Sequence, residues 1–247
     1  MEKVIMCFAI GFFAQMIDGM LGMAYGVCCN TFLRIVLGAP IATSSVLVHF
    51  SEIFSSGASA LSHYKFGNID KSLFFRLLIP GVIGGSIGAY LVTEIGEWLE
   101  IPISIYLIVM GIVLIAKACM NSKPVRKSGA FLSSVALLGG FADATGGGGW
   151  GPIVTSSVIN TDENAAKIIG SINASEFFIT VVESLVFIIS FDLSRLYWSE
   201  LISLMLGGVV ASPFAAKLCS SINRLTLLLA VGILLICLNA QKLFSLI

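Results

Sequence analysis

Ala142-Asp143-Ala144-Thr145-Gly146-Gly147-Gly148-Gly149-Trp150-Gly151 breaks an otherwise apolar stretch, and Ile17-Asp18-Gly19-Met20-Leu21-Gly22-Met23-Ala24-Tyr25-Gly26 carries the same pattern 125 residues earlier. At that offset Asp18 falls on Asp143, Gly22 on Gly147, Tyr25 on Trp150 and Gly26 on Gly151. Further on, at an offset of 124, His49, Glu52, Ser56 and Ser59 fall on Asn173, Glu176, Thr180 and Glu183. Steps of 3, 4 and 3 put each set on one face of a helix. A duplicated glycine-broken segment beside a duplicated polar stripe, both in hydrocarbon-like surroundings, marks the binding site of a membrane transporter built from two repeats.

The surroundings bear this out. The chain is 57% hydrophobic and 11% charged, with a mean hydropathy of +1.00, whereas soluble domains are roughly 25% charged. Fourteen basic and 14 acidic residues cannot solvate a globule of this size, and they gather between apolar segments. Several of those segments approach or exceed the ~20 residues that cross a bilayer as helix. The expected class is an all-α, multi-pass protein of the cell membrane, whose first helix is retained rather than cleaved as a leader. Net charge is zero and no basic patch appears, which excludes nucleic acid as a partner. The six cysteines lie in or at the edges of apolar segments without metal-ligand spacing, as small buried hydrophobes do.

Apolar segments fall near 4–20, 24–38, 41–62, 73–93, 102–120, 130–144, 150–160, 165–190, 198–216 and 225–246. The longest polar connector, 121–128, joins a first membrane repeat (1–120) to a second (129–247) within one membrane domain. The third long helix of each half also matches, with Gly84-Gly85-Ser86 on Gly207-Gly208-Val209, small residues that allow close helix approach. The pairs 4–20 with 24–38 and 130–144 with 150–160 are either two crossings or re-entrant pairs. Re-entrant pairs make the repeats inverted; the other choice makes them parallel. Lys and Arg in loops divide nine to four in both arrangements, so the positive-inside rule does not choose. Both put the 65–71 loop and the linker in the cytoplasm and the 94–100 loop outside. Tolerance of non-helical backbone where it lines a cavity leans the reading toward inversion.

Four consecutive glycines do not sit stably inside a helix, where each costs about 1 kcal/mol relative to Ala. Pro152 suits the first turn of a new helix. The expectation is a helix ending near Asp143, an unwound stretch over Gly146, Gly147, Gly148 and Gly149, and a new helix from Trp150, Gly151 and Pro152. Its N-terminus would offer backbone N–H groups to an anion, with Thr155 one turn in. Gly22, Tyr25 and Gly26 of the first break, with His49 and Asn173, complete the candidate substrate site. Asp18 and Asp143, at membrane depth, either cap the broken helices or carry a proton or cation. Glu52 and Glu176 are candidate coupling residues; Glu183, paired only with Ser59, carries less weight. His49 and His63 show no nucleophile or metal-ligand spacing, which argues against an enzyme and against a metal site. No P-loop is present and no cofactor is expected.

From Gly140-Phe141-Ala142-Asp143 through Pro152, and again at Gly170-Ser171-Ile172-Asn173-Ala174-Ser175-Glu176-Phe177-Phe178, the chain resembles the sulfite exporter TauE/SafE family of membrane permeases. The likeness covers nearly the whole chain, including Lys65-Phe66-Gly67-Asn68-Ile69-Asp70. It implies secondary transport, often export, of sulfite, organosulfonates or related small anions. At Leu21-Gly22-Met23-Ala24-Tyr25-Gly26 the first repeat departs from the family's glycine-rich run, so that half-site is expected to be narrower and more apolar. With no ATP-binding motif, protons or sodium are the expected coupling ions. An anion channel is the alternative, and a homo-oligomer is left open.

Overall fold

The computed structural model describes residues 2–21, 23, 25–35, 37–65, 67–119, 128–158, 165–218 and 224–246, all of whose regular structure is helical. Helix α1 (Glu2–Leu21) is followed by α2 (Tyr25–Ile35), α3 (Ile41–Lys65), α4 (Lys71–Ile95) and α5 (Glu100–Cys119). The second half runs α6 (Gly129–Gly146), a π-helical turn (Gly151–Thr155) with a short α7 (Ser156–Val158), α8 (Ala165–Ser190), α9 (Trp198–Leu218) and α10 (Arg224–Leu246). Residues 121–127 of the linker, the 161–164 loop, Gly22 and Cys219 lie outside the described residues. Local chemistry sets the starts: Asp70 accepts the Leu73 N–H at 2.9 Å to cap α4, and Ser128 caps α6 through the Phe131 N–H.

An open cleft of about 1230 Å³ marks one face, lined by residues from 38–43, from the end of α4 with Trp98 and Glu100, and from 190–197. Helices α3, α5 and α9 therefore start at this face, and α4 and α8 end there. The start of α1 is level with that of α9, since Cys7 lies within electrostatic reach of Glu200 and Gly11 abuts Leu204. At the opposite face the Asp70 N–H donates to Ser171 Oγ at 2.8 Å, and Gly129 at the head of α6 sits against Arg76 near the head of α4. In α5 and α10, Gly111 meets Ile236 while Gly232 meets Ile115, so these two run antiparallel.

The main crossings rest on glycine. A Cβ on Gly207 would strike the backbone of α1 at Phe8, and one on Gly84 would strike α6 at Leu137. Dispersion between backbones in close contact replaces the hydrophobic effect that lipid cannot supply. The exterior is apolar: Ile79, Ile83 and Ile87 on α4, and Ile101, Ile105 and Ile112 on α5, are each 44–59% exposed. Charge is inside, where Arg34, His49, Glu52, Asp143 and Glu183 are all buried. That inversion of the soluble pattern fits a lipid solvent. Among the described residues two helices, Lys71–Ile95 and Gly170–Ser190, are long and apolar enough to cross a bilayer, and shorter apolar helices include Glu100–Ala116 and Trp198–Ser212. Cys7, Cys28 and Cys29 are buried, whereas Cys119 and Cys237 are exposed on the apolar exterior.

Candidate functional site

Both breaks are tied by the same bond. Asp18 Oδ1 accepts the Tyr25 N–H at 3.3 Å, and Asp143 Oδ1 accepts the Trp150 N–H at 3.0 Å. Each aspartate reaches seven residues forward to cap the helix that resumes after the break. In the second half α6 continues three residues beyond Asp143, to Gly146, because the Gly147 N–H closes its last turn on the Asp143 carbonyl at 2.7 Å. Gly147 is left-handed at φ 66 and Gly148 lies at φ 145, conformations that favour glycine. The Gly148 N–H also bonds the Asp143 carbonyl, at 3.1 Å. Three of the backbone donors expected to face an anion are thus engaged by Asp143.

The two breaks abut. A Cβ on Gly148 would collide with Val27 and Gly26, and one on Gly147 with the Asn30 side chain. Gly26 is thereby part of the seam between the breaks. Trp150, at 0% exposure, packs with Leu77, Ile172 and Ile179 and donates its indole N–H to the Ile172 carbonyl at 3.3 Å. Tyr25 is equally enclosed, and its hydroxyl bonds Ser51 Oγ at 3.0 Å. Gly146, Gly149, Gly151, Pro152 and Thr155 are all buried, Pro152 and Thr155 within the π-helical turn. A π turn spreads the backbone ladder and recurs at functional sites.

Beside Asp143 stands a buried titratable cluster. His49 Nε2 lies 3.0 Å from Glu183 Oε2 and 3.8 Å from Asp143 Oδ2. His49 Nδ1 is 2.7 Å from the Ser45 carbonyl oxygen, an acceptor only, so Nδ1 carries a hydrogen. In a neutral ring Nε2 is then a lone pair facing two carboxylates. A proton or another cation among these atoms turns that repulsion into attraction, and one imidazole nitrogen with two carboxylates could hold either. Gly85 makes the room, because a Cβ there would strike the Glu183 carboxylate. Both Glu183 oxygens and Asp143 Oδ2 lack a hydrogen-bond partner. On the next turn of α3, buried Glu52 has a free Oε2, and half-buried Glu176 on α8 lies within electrostatic reach of it.

At the equivalent place in the other half the pair between the stripes is neutral. Asn173, which aligns with His49, donates through Nδ2 to Ser59 Oγ at 3.0 Å, and Ser59 aligns with Glu183. The sequence puts Glu183 on the polar stripe but weights it below Glu52 and Glu176, whereas the structure sets it directly against His49. Sequence reading missed a second group. Arg34 on α2, counted from the sequence as a loop charge, is 2% exposed, and the Asn30 amide one turn before it and the Tyr106 hydroxyl on α5 are also buried without hydrogen-bond partners. A basic residue inside the apolar 24–38 segment was the available clue.

A family model described as "Sulfite exporter TauE/SafE" matches residues 7–241. "Probable membrane transporter protein YtnM" of Bacillus subtilis (strain 168) is 37% identical over 256 residues, spanning 99% of this chain and 84% of the relative. No solved structure matches.

Proposed function

We propose that this membrane transporter, which belongs to the sulfite exporter TauE/SafE family, moves sulfite, an organosulfonate or a related small sulfur-containing anion across the cell membrane by a secondary, proton- or sodium-coupled mechanism. The observation that carries the coupling is the His49 ring. With Nδ1 committed to the Ser45 carbonyl, its Nε2 faces Glu183 and Asp143 in a way that calls for a cation. Inside a bundle with an apolar exterior such a group is expensive and is retained for a pathway. Asp143 joins the cation to the break, since its other oxygen holds Trp150. Loading or releasing the cation therefore pulls on the cap that fixes α6 against the π turn. Glu52 and Glu176 extend the acidic stripe along which the cation would move.

The helix directions support inverted repeats with re-entrant pairs. α3 and α8 run oppositely, as do α4 and α9, and α5 and α10. α1 starts level with α9, and the connection that follows α2 lines the same cleft. Lys65, Lys71 and Arg76 lie toward the opposite end from the cleft, whose lining carries Glu94, Glu100 and Asp192 with one arginine, Arg195. By the positive-inside rule the cleft opens outward. Alternating access would then be a rocking of the two halves about their glycine crossings.

Counterflow in proteoliposomes tests the reading. Vesicles loaded with unlabelled sulfite should transiently concentrate labelled external sulfite, as a carrier does. Equilibration without overshoot would favour an anion channel, and no flux of sulfite or any sulfonate would remove the substrate assignment.

A further inference from the structure

We infer that Arg34, held by Ser104 and accompanied by Asn30 and Tyr106, forms an oxyanion-binding site between α2, α5 and the glycine break. The inference rests on the anion-transport reading above and gives its substrate a place. Arg34 is 2% exposed. Its Nη2 donates to Ser104 Oγ at 3.3 Å, while Nε and Nη1 have no hydrogen-bond partner. Glu100, whose charge reaches it, lines the outer cleft, and Ser104 in turn donates to the Glu100 carbonyl at 2.8 Å. Arginine keeps its charge under all ordinary conditions. A buried guanidinium with two idle nitrogens is a strong liability unless a ligand completes it.

The neighbours are of the same kind. Asn30 precedes Arg34 by one turn on α2, which puts both on one helix face. Its amide nitrogen and oxygen are buried without partners, as is the Tyr106 hydroxyl. Asn30 lies against Gly147 and the Tyr106 ring against Gly146, so these donors meet at the break itself. Besides the carboxylate-rich cluster, which calls for a cation, the break thus meets unspent N–H and O–H donors and a fixed positive charge one turn along α2, which call for an anion. A small oxyanion such as sulfite or the sulfonate head of an organic acid matches these donors, because its negative charge is spread over several oxygens that accept from several directions. The backbone N–H groups of Gly147, Gly148 and Trp150 need not serve, being occupied by Asp143.

The test is thermal unfolding of the purified full chain in detergent against sodium sulfite and sodium methanesulfonate, for wild type, Arg34→Gln, Arg34→Lys and the rim control Arg195→Gln. Wild type and Arg195→Gln should be stabilised by the anion alike. In Arg34→Gln the half-saturating concentration should rise roughly 10- to 100-fold, the worth of a charge-assisted contact. Arg34→Lys should recover part of the loss and serves alone if the glutamine variant does not fold. Without ligand, Arg34→Gln should melt no lower than wild type, because it no longer buries an incomplete charge. An Arg34→Gln protein that melts lower yet responds to sulfite like wild type would make Arg34 a structural partner of Glu100 and overturn the inference while leaving anion transport standing. A wild type that responds to neither anion would overturn both.

Discussion

The two helix breaks share a scaffold and differ in chemistry. Asp18 and Asp143 cap the resuming helices through Tyr25 and Trp150 in the same way. Across the first break, Asn173 and Ser59 form a satisfied neutral pair at 3.0 Å. Across the second, the aligned His49 and Glu183 form a titratable pair at the same 3.0 Å, with Asp143 Oδ2 as a third member. The capping and the contact between stripes are thus the same at both breaks, while the stripe pair is titratable beside Asp143 and neutral beside Asp18. The lesson is that a buried aspartate in a membrane helix has two separable roles, and its neighbours decide whether it holds more than the backbone.

That comparison can be broken by one conservative change made twice. Asn in place of Asp retains an oxygen to accept the cap bond but loses the negative charge. Asp143→Asn should stay folded and abolish cation-driven accumulation of substrate, whereas Asp18→Asn should keep most of it. Equal loss in both variants, measured as uptake in proteoliposomes, would show that the neutral half matters for coupling as much as the titratable one.

A smaller effect separates the breaks sterically. Gly148 aligns with Met23, which is buried at 1% exposure and fills core space in the first break. Val at Gly148 must hold φ near 145 and displace Val27. Gly148→Val should destabilise the protein by about 2–6 kcal/mol from strain and overpacking and lose anion binding with it. Thr155→Ala, a removal rather than an addition, should lose far less. Unfolding midpoints of the two variants provide the check, and a Gly148→Val protein as stable as wild type would contradict the close approach of the two breaks.

Much of this was legible in the sequence because it was written twice. The aspartates, the glycines at Gly22/Gly147 and Gly26/Gly151, and the 3-4-3 stripe each recur at a near-constant offset, and periodicity placed His49 and Glu52 on one face of α3. What stayed hidden depends on how the halves meet. No spacing along the chain says that His49 of one half reaches Glu183 and Asp143 of the other, so Glu183 looked peripheral. Arg34 was counted among the loop charges, although it is buried and bonds Ser104 of α5. The Gly147, Gly148 and Trp150 N–H groups looked free because the Asp143 carbonyl and carboxylate that take them up are close only once the turn has formed.

The central claim is that the His49–Asp143–Glu183 cluster binds the driving cation, and it is tested most directly by rebuilding that side as the neutral one. Sulfite accumulation should be followed in proteoliposomes under imposed proton and sodium gradients, for wild type and for the double variant His49→Asn with Glu183→Ser. Wild type should accumulate sulfite with one of the two gradients, and the double variant should still exchange sulfite across the membrane but fail to concentrate it. Undiminished gradient-driven accumulation by the double variant would contradict the account.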